Sequence, residues 1–518
     1  MSAVRTVAAV DLGAESGRVE RADFDGERLT VREVARFSHT PAPVDGILRW
    51  DLDLLTRSVS DGLAALGAGT DVASVGVDAW GVDYGLLDAD GALVDAPTCY
   101  RDPRQLQAMD EALATVGRER LYRATGVQVN EINTVFALAS DARMTTRLDR
   151  AASLLMMPDV FHSLLSGARV TEATAASTTG LYDAAAGRWA TGLAEELGIP
   201  ARLFPEVVPA GTDLGPVTGP LGDGPLAGTR VVAPAGHDTA SAVVATPLPE
   251  PGALFLSSGT WSLMGVEVPR PVVTDGSLAA NLTNEGGYGG TTRLLRNVMG
   301  LWLLQECRRA WTAAGLDLSY AELTGLAGRE PALVSLVNPN AREFLGRGDM
   351  PARVQAYCRR TGQPVPATPA AITRCVVDSL AVSYRVTAED IAAVTGTTPP
   401  AVCVTGGGAR NGLLAQATAD ATGLPVHCGP VEATSLGNAA VQLVALGELG
   451  GVADVRAVIA RTTARTADLQ THSPRPDPRW EQAAALLREL TQDDDRARGL
   501  VPPGPATTTW DTPARRAR

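Results

Sequence analysis

Lysine is missing altogether. In 518 residues all 45 side chains counted as Lys or Arg are Arg. A phosphate loop built on Lys, a protein-kinase strand Lys and a Schiff-base amine are therefore excluded. Codon bias toward Arg accounts for the absence, and the exclusion holds whatever its origin. Aromatics are scarce, at 4%, so the cores must be built mainly from Val, Leu, Ala and Ile. Six cysteines (Cys99, Cys307, Cys358, Cys375, Cys403, Cys428) include no C-x-x-C pair and no Cys/His zinc spacing, and so few are no disulfide framework. Buried, reduced thiols are expected. The opening residues lack a signal-peptide apolar region, and no apolar run reaches the ~20 residues of a membrane span. A cytoplasmic protein without a membrane partner is the expectation. A net charge of -13 repels nucleic acid and anionic lipid. Any phosphate site must then be local, made of backbone N–H groups, a metal and a few Arg.

The length favours two domains. Arg5–Leu12, Arg18–Phe24 and Glu27–Phe37 alternate around turn signals and read as three antiparallel strands. Residues 50–66 have helical spacing, and 72–78 is a buried strand before Gly81. Tyr84–Leu87 and Leu93–Ala96 flank Asp90-Gly91 as a hairpin. Residues 104–166 read as mostly helical, with Pro158 at a helix start. Residues 214–228 read as loops. Val231–Ala233 is a strand, and Gly236-His237-Asp238 opens a helix to Ala245. Pro247, Pro249 and Pro251 then mark a boundary. A second β-first unit follows. Ala253–Ser257 and Ser262–Val268 form a hairpin, and 401–446 runs strand, Gly406-Gly407-Gly408 turn, helix, strand, helix. Two α/β halves that each begin with a β-hairpin predict two actin-like (ribonuclease-H-like) ATPase domains around a cleft. They divide as 4–246 on the sugar side and 247–492 on the nucleotide side, with residues 493–518 expected to be disordered.

Four segments carry chemistry. In Asp11-Leu12-Gly13-Ala14-Glu15-Ser16-Gly17-Arg18 a strand delivers Asp11, a carboxylate suited to Mg²⁺. Gly13 and Gly17 allow a close turn whose N–H groups can meet phosphate oxygens, and Arg18 can pair with one. A plain hairpin with a turn Asp reads equally well. Ser257-Ser258-Gly259-Thr260-Trp261-Ser262 occupies the matching hairpin, and two such turns can grip a polyphosphate from both sides. The Gly406–Gly408 triplet lies at a strand's C-terminal end, where α/β sheets bind ligands; a tight turn explains it too. Asp238 reads by itself as a helix N-cap, or as a cleft carboxylate that accepts a hydroxyl proton; the helix dipole serves both. His39, His162, His427 and His472 read as surface or satisfied core residues.

These segments, with VGVDAWGVDYGLLDADG, LMMPDVFHSLLSG, LTNEGG, NVMGLWLLQECRR and GPVEATSLGN, resemble the FGGY carbohydrate kinases from about Thr6 to about Arg465. Within that family they look most like the kinases that act on L-rhamnulose. The resemblance implies ATP and Mg²⁺ as cofactors and phosphorylation of the sugar's 1-hydroxyl. It implies ATP contacts at Ala14, Glu15, Ser16, Gly17, Arg18, Thr260, Gln305 and Gly407. It implies sugar contacts at Gly81, His237, Asp238, Thr239 and Asn297, with Asp238 as proton acceptor and Asp11 on the metal side. His39 stands where relatives often carry Asn. Thr418 and Thr422 replace a Cys pair found in some, while Cys358 and Cys375 match cysteines in others. Another ketose kinase, of fuculose or xylulose type, and a non-kinase ATPase of the same fold are the rival readings. A sugar-sensing repressor lacks room for an N-terminal helix-turn-helix. A monomer or small homo-oligomer is expected.

Overall fold

The computed structural model describes residues 4–463 and 469–497. Two sheets dominate. The first contains β1 (Arg5–Leu12), β2 (Ser16–Phe24), β3 (Leu29–Ser38), β4 (Ser74–Ala79), β5 (Asp213–Pro216) and β6 (Arg230–Val232), in the order β5-β6-β4-β1-β2-β3. The second contains β7 (Leu254–Ser258), β8 (Ser262–Val268), β9 (Thr283–Gly286), β10 (Thr292–Val298), β11 (Val402–Thr405), β12 (Val426–Cys428) and β13 (Gln470–His472), in the order β9-β10-β8-β7-β11-β12-β13. The two share a plan. Each has a central strand, β1 or β7, antiparallel to the next strand of its hairpin. On its other side that strand runs parallel to β4 or β11. The central strands read as continuous apolar runs because both faces are covered; β1 is buried from Thr6 to Leu12.

Helix α1 (Leu52–Gly67) covers the first sheet, capped by Asp51, whose side chain accepts from Leu54 N–H. Asp238 opens α2 (Asp238–Val244), and α3 (Trp302–Ala313) follows β10. The spine of the second half is α4 (Pro369–Thr395). Thr368 caps it, Pro369 supplies a preset first turn, and Gly396 ends it at φ +70°. Then come α5 (Gly412–Thr422), α6 (Ala433–Ala445), α7 (Val452–Thr463) and α8 (Arg479–Ala497).

Several expectations are revised. The Asp90-Gly91 hairpin shrinks to one bridge, Leu87 to Leu93. Tyr84–Leu87 pairs instead with Ser153–Met156, inside the stretch expected to be helical, and all four of its residues are buried there. Residues 214–228 are not all loop: β5 pairs with β6, and a short helix spans Gly219–Gly222. Packing crosses the 246/247 division. Helices α6 and α7 come from the second half but pack with Val7, Ala22, Phe24 and Leu29 of the first sheet. Gln442 on α6 donates to Ala8 O (3.0 Å) and accepts from Ser74 Oγ (2.7 Å), so buried amide bonds fix that crossing. Helix α8 runs to Ala497, past the expected onset of disorder at 493. Its buried Asp494 accepts from Asn338 Nδ2 and Tyr357 Oη, both at 2.9 Å. The rest of that tail, 498–518, lies outside the described residues. All six cysteines are free and buried. No helix among the described residues is long and apolar enough to cross a membrane.

Candidate active site

The β1–β2 and β7–β8 hairpin turns face one cleft of about 300 Å³. Each closes with a short backbone bond, Gly13 N–H to Ser16 O (2.9 Å) and Gly259 N–H to Trp261 O (2.8 Å). Asp11, Ala14, Glu15, Ser16, Arg18, Gly81, His237, Asp238, Thr239, Thr260, Asn297, Gln305 and Gly407 all line it. Gly17 alone among the expected site residues does not. It pairs with Leu12 and Phe37, and a Cβ there would lie 2.3 Å from the Phe37 ring. Glycine therefore leaves room for the Phe37 ring beneath the turn.

The floor is set by strand register. Asp11 pairs across β1–β2 with Arg18, and across β1–β4 with Asp78. Paired residues share a face, so Arg18, Asp11 and Asp78 stand in a row. Arg18 donates to Asp11 Oδ2 and to Glu432 at the start of α6, which ties the first turn to the second half of the chain. Burial pushes the Asp11 carboxyl up while Arg18 opposes it, and nearby Asp238 pushes the same way as burial. Asp78 is fully buried and raised further, by burial and then by the charge of Asp11. Its Oδ2 accepts from Asn438 Nδ2 (2.6 Å), while Oδ1 has no partner. Asp78 was not among the expected site residues. The signal was present, since Val77-Asp78 ends an apolar strand before a glycine, as Val10-Asp11 does.

Asp11 lines the cleft and its carboxylate fits a hard cation such as Mg²⁺, with the fully buried Asp78 behind it. Among the described residues no three His, Cys, Asp or Glu side chains group closely enough to cage an ion. The site therefore suits a hydrated Mg²⁺ that takes its other ligands from water and phosphate.

Asp238 is the first residue of α2, and His237 is the cap residue, so Asp238 is not the N-cap. Its Oδ1 accepts from the Thr239 N–H and hydroxyl, and the side chain is 28% exposed to the cleft. The strand end before it is held by Glu172, which accepts from Gly236 N–H (2.9 Å) and caps a short helix, Ala173–Ala176, by accepting from the Thr174 and Ala175 N–H groups. Burial raises the Glu172 carboxyl to about 7. Gly81 faces His237 and Thr178; a Cβ there would lie 3.3 Å from His237 Nε2. Across the cleft, Asn297 on β10 is oriented by Gln128, which accepts from its N–H (2.8 Å) and Nδ2 (3.2 Å). Gln305 on α3 has a buried Oε1 without a partner. Gly407 has nothing near its Cβ position. Its neighbour Gly406 has φ +80° and would press a Cβ to 2.9 Å from Ser258 O, so only glycine fits there. Glu285, also not foreseen, lies buried beside His237. His39 is a core residue: its Nε2 lies 2.8 Å from Gly13 O, and its ring stacks on Trp80 at 5.4 Å. Because a carbonyl only accepts, His39 Nε2 must carry the proton.

Residues 6–245 match the model of the FGGY family of carbohydrate kinases, N-terminal domain, and residues 254–446 that of its C-terminal domain. The chain is 40% identical over 478 residues to a rhamnulokinase of Bacteroides thetaiotaomicron, covering 92% of this chain and 97% of that one. Among solved structures it resembles a gluconate kinase and a ligand-bound xylulose kinase, both from Lactobacillus acidophilus. Each has a TM-score of 0.74 at 16% identity, over 96% of this chain and 98% of the other. At that identity the two structures speak for the fold alone.

Proposed function

We propose, from the premise that this chain belongs to the FGGY family of carbohydrate kinases, that it phosphorylates L-rhamnulose at the 1-hydroxyl. The products are L-rhamnulose 1-phosphate and ADP, in L-rhamnose catabolism. The enzymes of this family use ATP with Mg²⁺. One observation carries the reading: the Asp238 carboxylate opens into the same cleft as two opposed glycine-bearing turns. The choice of sugar is supported by the 40% identity to a rhamnulokinase over nearly the whole chain.

In this reading the sugar lies between Gly81, His237, Thr239 and Asn297, with its primary hydroxyl at Asp238. The triphosphate lies between the Ala14–Arg18 and Thr260 turns, with Gln305 and Gly407 at the nucleotide end. The hydroxyl oxygen forms a bond to the γ-phosphorus as the bond to the β–γ bridging oxygen breaks, and the proton passes to Asp238. The transition state is loose, so alignment and charge stabilisation dominate. Asp11 would hold Mg²⁺, which would supply neutralisation of phosphate charge. No Lys is needed, because Arg18 and turn N–H groups meet the anion. We place the enzyme in the cytoplasm, consistent with its free thiols.

The test is ADP release coupled to a chromogenic readout across L-rhamnulose, fuculose and xylulose, with a no-sugar control. L-rhamnulose is expected to be turned over fastest. Rapid ADP release without sugar would overturn the kinase reading, and faster turnover of another ketose would overturn the substrate. Asp238→Asn is expected to cut turnover by roughly 10²–10⁴-fold with ATP affinity nearly unchanged.

A further inference from the structure

We infer that buried Arg293, paired with Glu285, fixes the tautomer of His237, so that its Nε2 carries the proton and donates into the cleft beside Asp238. The inference deepens the kinase reading and rests on it for its consequence, though not for its geometry.

His237 is 6% exposed, and its backbone N–H is held by Thr174 Oγ1 at 3.1 Å. Its Nδ1 faces β9 and β10. Arg293 Nη2 lies 3.1 Å from that nitrogen, and Glu285 Oε2 lies 3.3 Å from it. Its Nε2 lies 3.4 Å from Asp238 Oδ1. A guanidinium offers only donors and stays charged. A nitrogen facing it must therefore accept, which leaves the single proton of a neutral imidazole on Nε2. An imidazolium would turn an Nδ1–H against the Arg293 donor and bring two cations together.

The alternative is an Nδ1–H that donates to Glu285. It loses to the nearer Arg293 bond, and it would leave Nε2 as an acceptor facing the Asp238 carboxylate, acceptor against acceptor. Arg293 is held firmly in place: fully buried, it donates from Nε to Gly286 O (2.8 Å) and sits 3.3 Å from Glu285 Oε2. Glu285 neutralises it and also accepts from Asn297 Nδ2 (3.4 Å). One ion pair thus orients both His237 at the start of α2 and Asn297 from β10. The cleft then holds a donor, His237 Nε2–H, next to an acceptor, Asp238. That pair can bind an oxygen adjacent to the attacking hydroxyl while the hydroxyl itself gives its proton to Asp238. Arg293 and Glu285 are positioning residues, since both act on the sugar through His237 and Asn297.

The test is ¹⁵N-imidazole spectroscopy of the full-length protein, in which only five histidines contribute and His237→Gln assigns the resonance. The expected spectrum shows His237 with a protonated Nε2 and a bare Nδ1; a protonated Nδ1 in the unaltered protein overturns the proposal. Arg293→Met should move the proton to Nδ1, where Glu285 can accept it, and Arg293→Lys should restore the original tautomer. An unchanged tautomer in Arg293→Met overturns the part assigned to Arg293. If Arg293→Met does not fold, the double change Arg293→Met/Glu285→Gln removes both buried charges, and it should lose the fixed tautomer as well. In kinetics, Arg293→Met should raise the KM for sugar about tenfold, the loss of one oriented hydrogen bond, with the KM for ATP unchanged. The spectrum is recorded without substrate. Failure to phosphorylate any ketose would therefore sink the function and leave the tautomer result standing.

Discussion

Asp83 offers a sharp test of how burial sets the chemistry around the cleft. Its Oδ2 accepts from two indoles, Trp50 Nε1 at 2.6 Å and Trp80 Nε1 at 2.9 Å, and Trp80 lines the cleft. The side chain has almost no contact with water. Burial raises its carboxyl from 3.8 to about 7, against the pull of both indole donors. The folded protein therefore binds this proton more tightly than the unfolded chain does. Stability from this group is full below about pH 4, falls as pH rises, and is lost above about 7. Three pKa units correspond to about 4 kcal/mol in all, and the interval from pH 5 to pH 8 contains about 3 kcal/mol of it. Asp83→Asn keeps an oxygen for both indoles and removes the charge. Urea unfolding of both proteins at pH 5, 6, 7 and 8, followed by tryptophan fluorescence, gives the difference between them at each pH. The variant should gain about 3 kcal/mol relative to the parent between pH 5 and pH 8. Glu20 and Glu172 are also raised to about 7 by burial, but they titrate in both proteins and cancel. Parallel stability curves from pH 5 to 8 would refute the reasoning, as would a variant that loses ground at high pH.

Two further outcomes follow from the packing. Gly437 on α6 crosses α2 so closely that a Cβ would sit 1.8 Å from Ser241 O. Gly437→Ala must push the helices apart, at a cost of about 3 kcal/mol or more, and should lower the urea midpoint. It should also lower turnover, because α2 carries Asp238 at its start. Asp11→Ala removes the carboxylate that fits Mg²⁺ and should raise the Mg²⁺ concentration needed for half-maximal rate at saturating ATP; an unchanged Mg²⁺ dependence would count against that role.

What could be read from the chain alone was local. β-Alternation, the Gly-bearing turns and the strand that delivers Asp11 depend on neighbours within a few residues, and each is found within a residue or two of the structural boundaries. Helix α4 escaped because 16 of its 27 residues are buried, and a helix covered nearly all round shows little amphipathic stripe. The partner of Tyr84–Leu87 escaped because that pairing spans about 70 residues of chain.

The sequence by itself determined the absence of an ammonium side chain, the two hairpin turns and the carboxylates that end the strands of the first sheet. Tertiary structure decided which side chains meet. Register alone put Asp78 beside Asp11, and the return of α6 onto the first sheet brought Glu432 to Arg18. The packing of β9 and β10 against the start of α2 set Arg293 and Glu285 behind His237. Those contacts join residues tens to hundreds of positions apart. No local periodicity encodes them, because they are fixed only when two sheets close over a shared cleft.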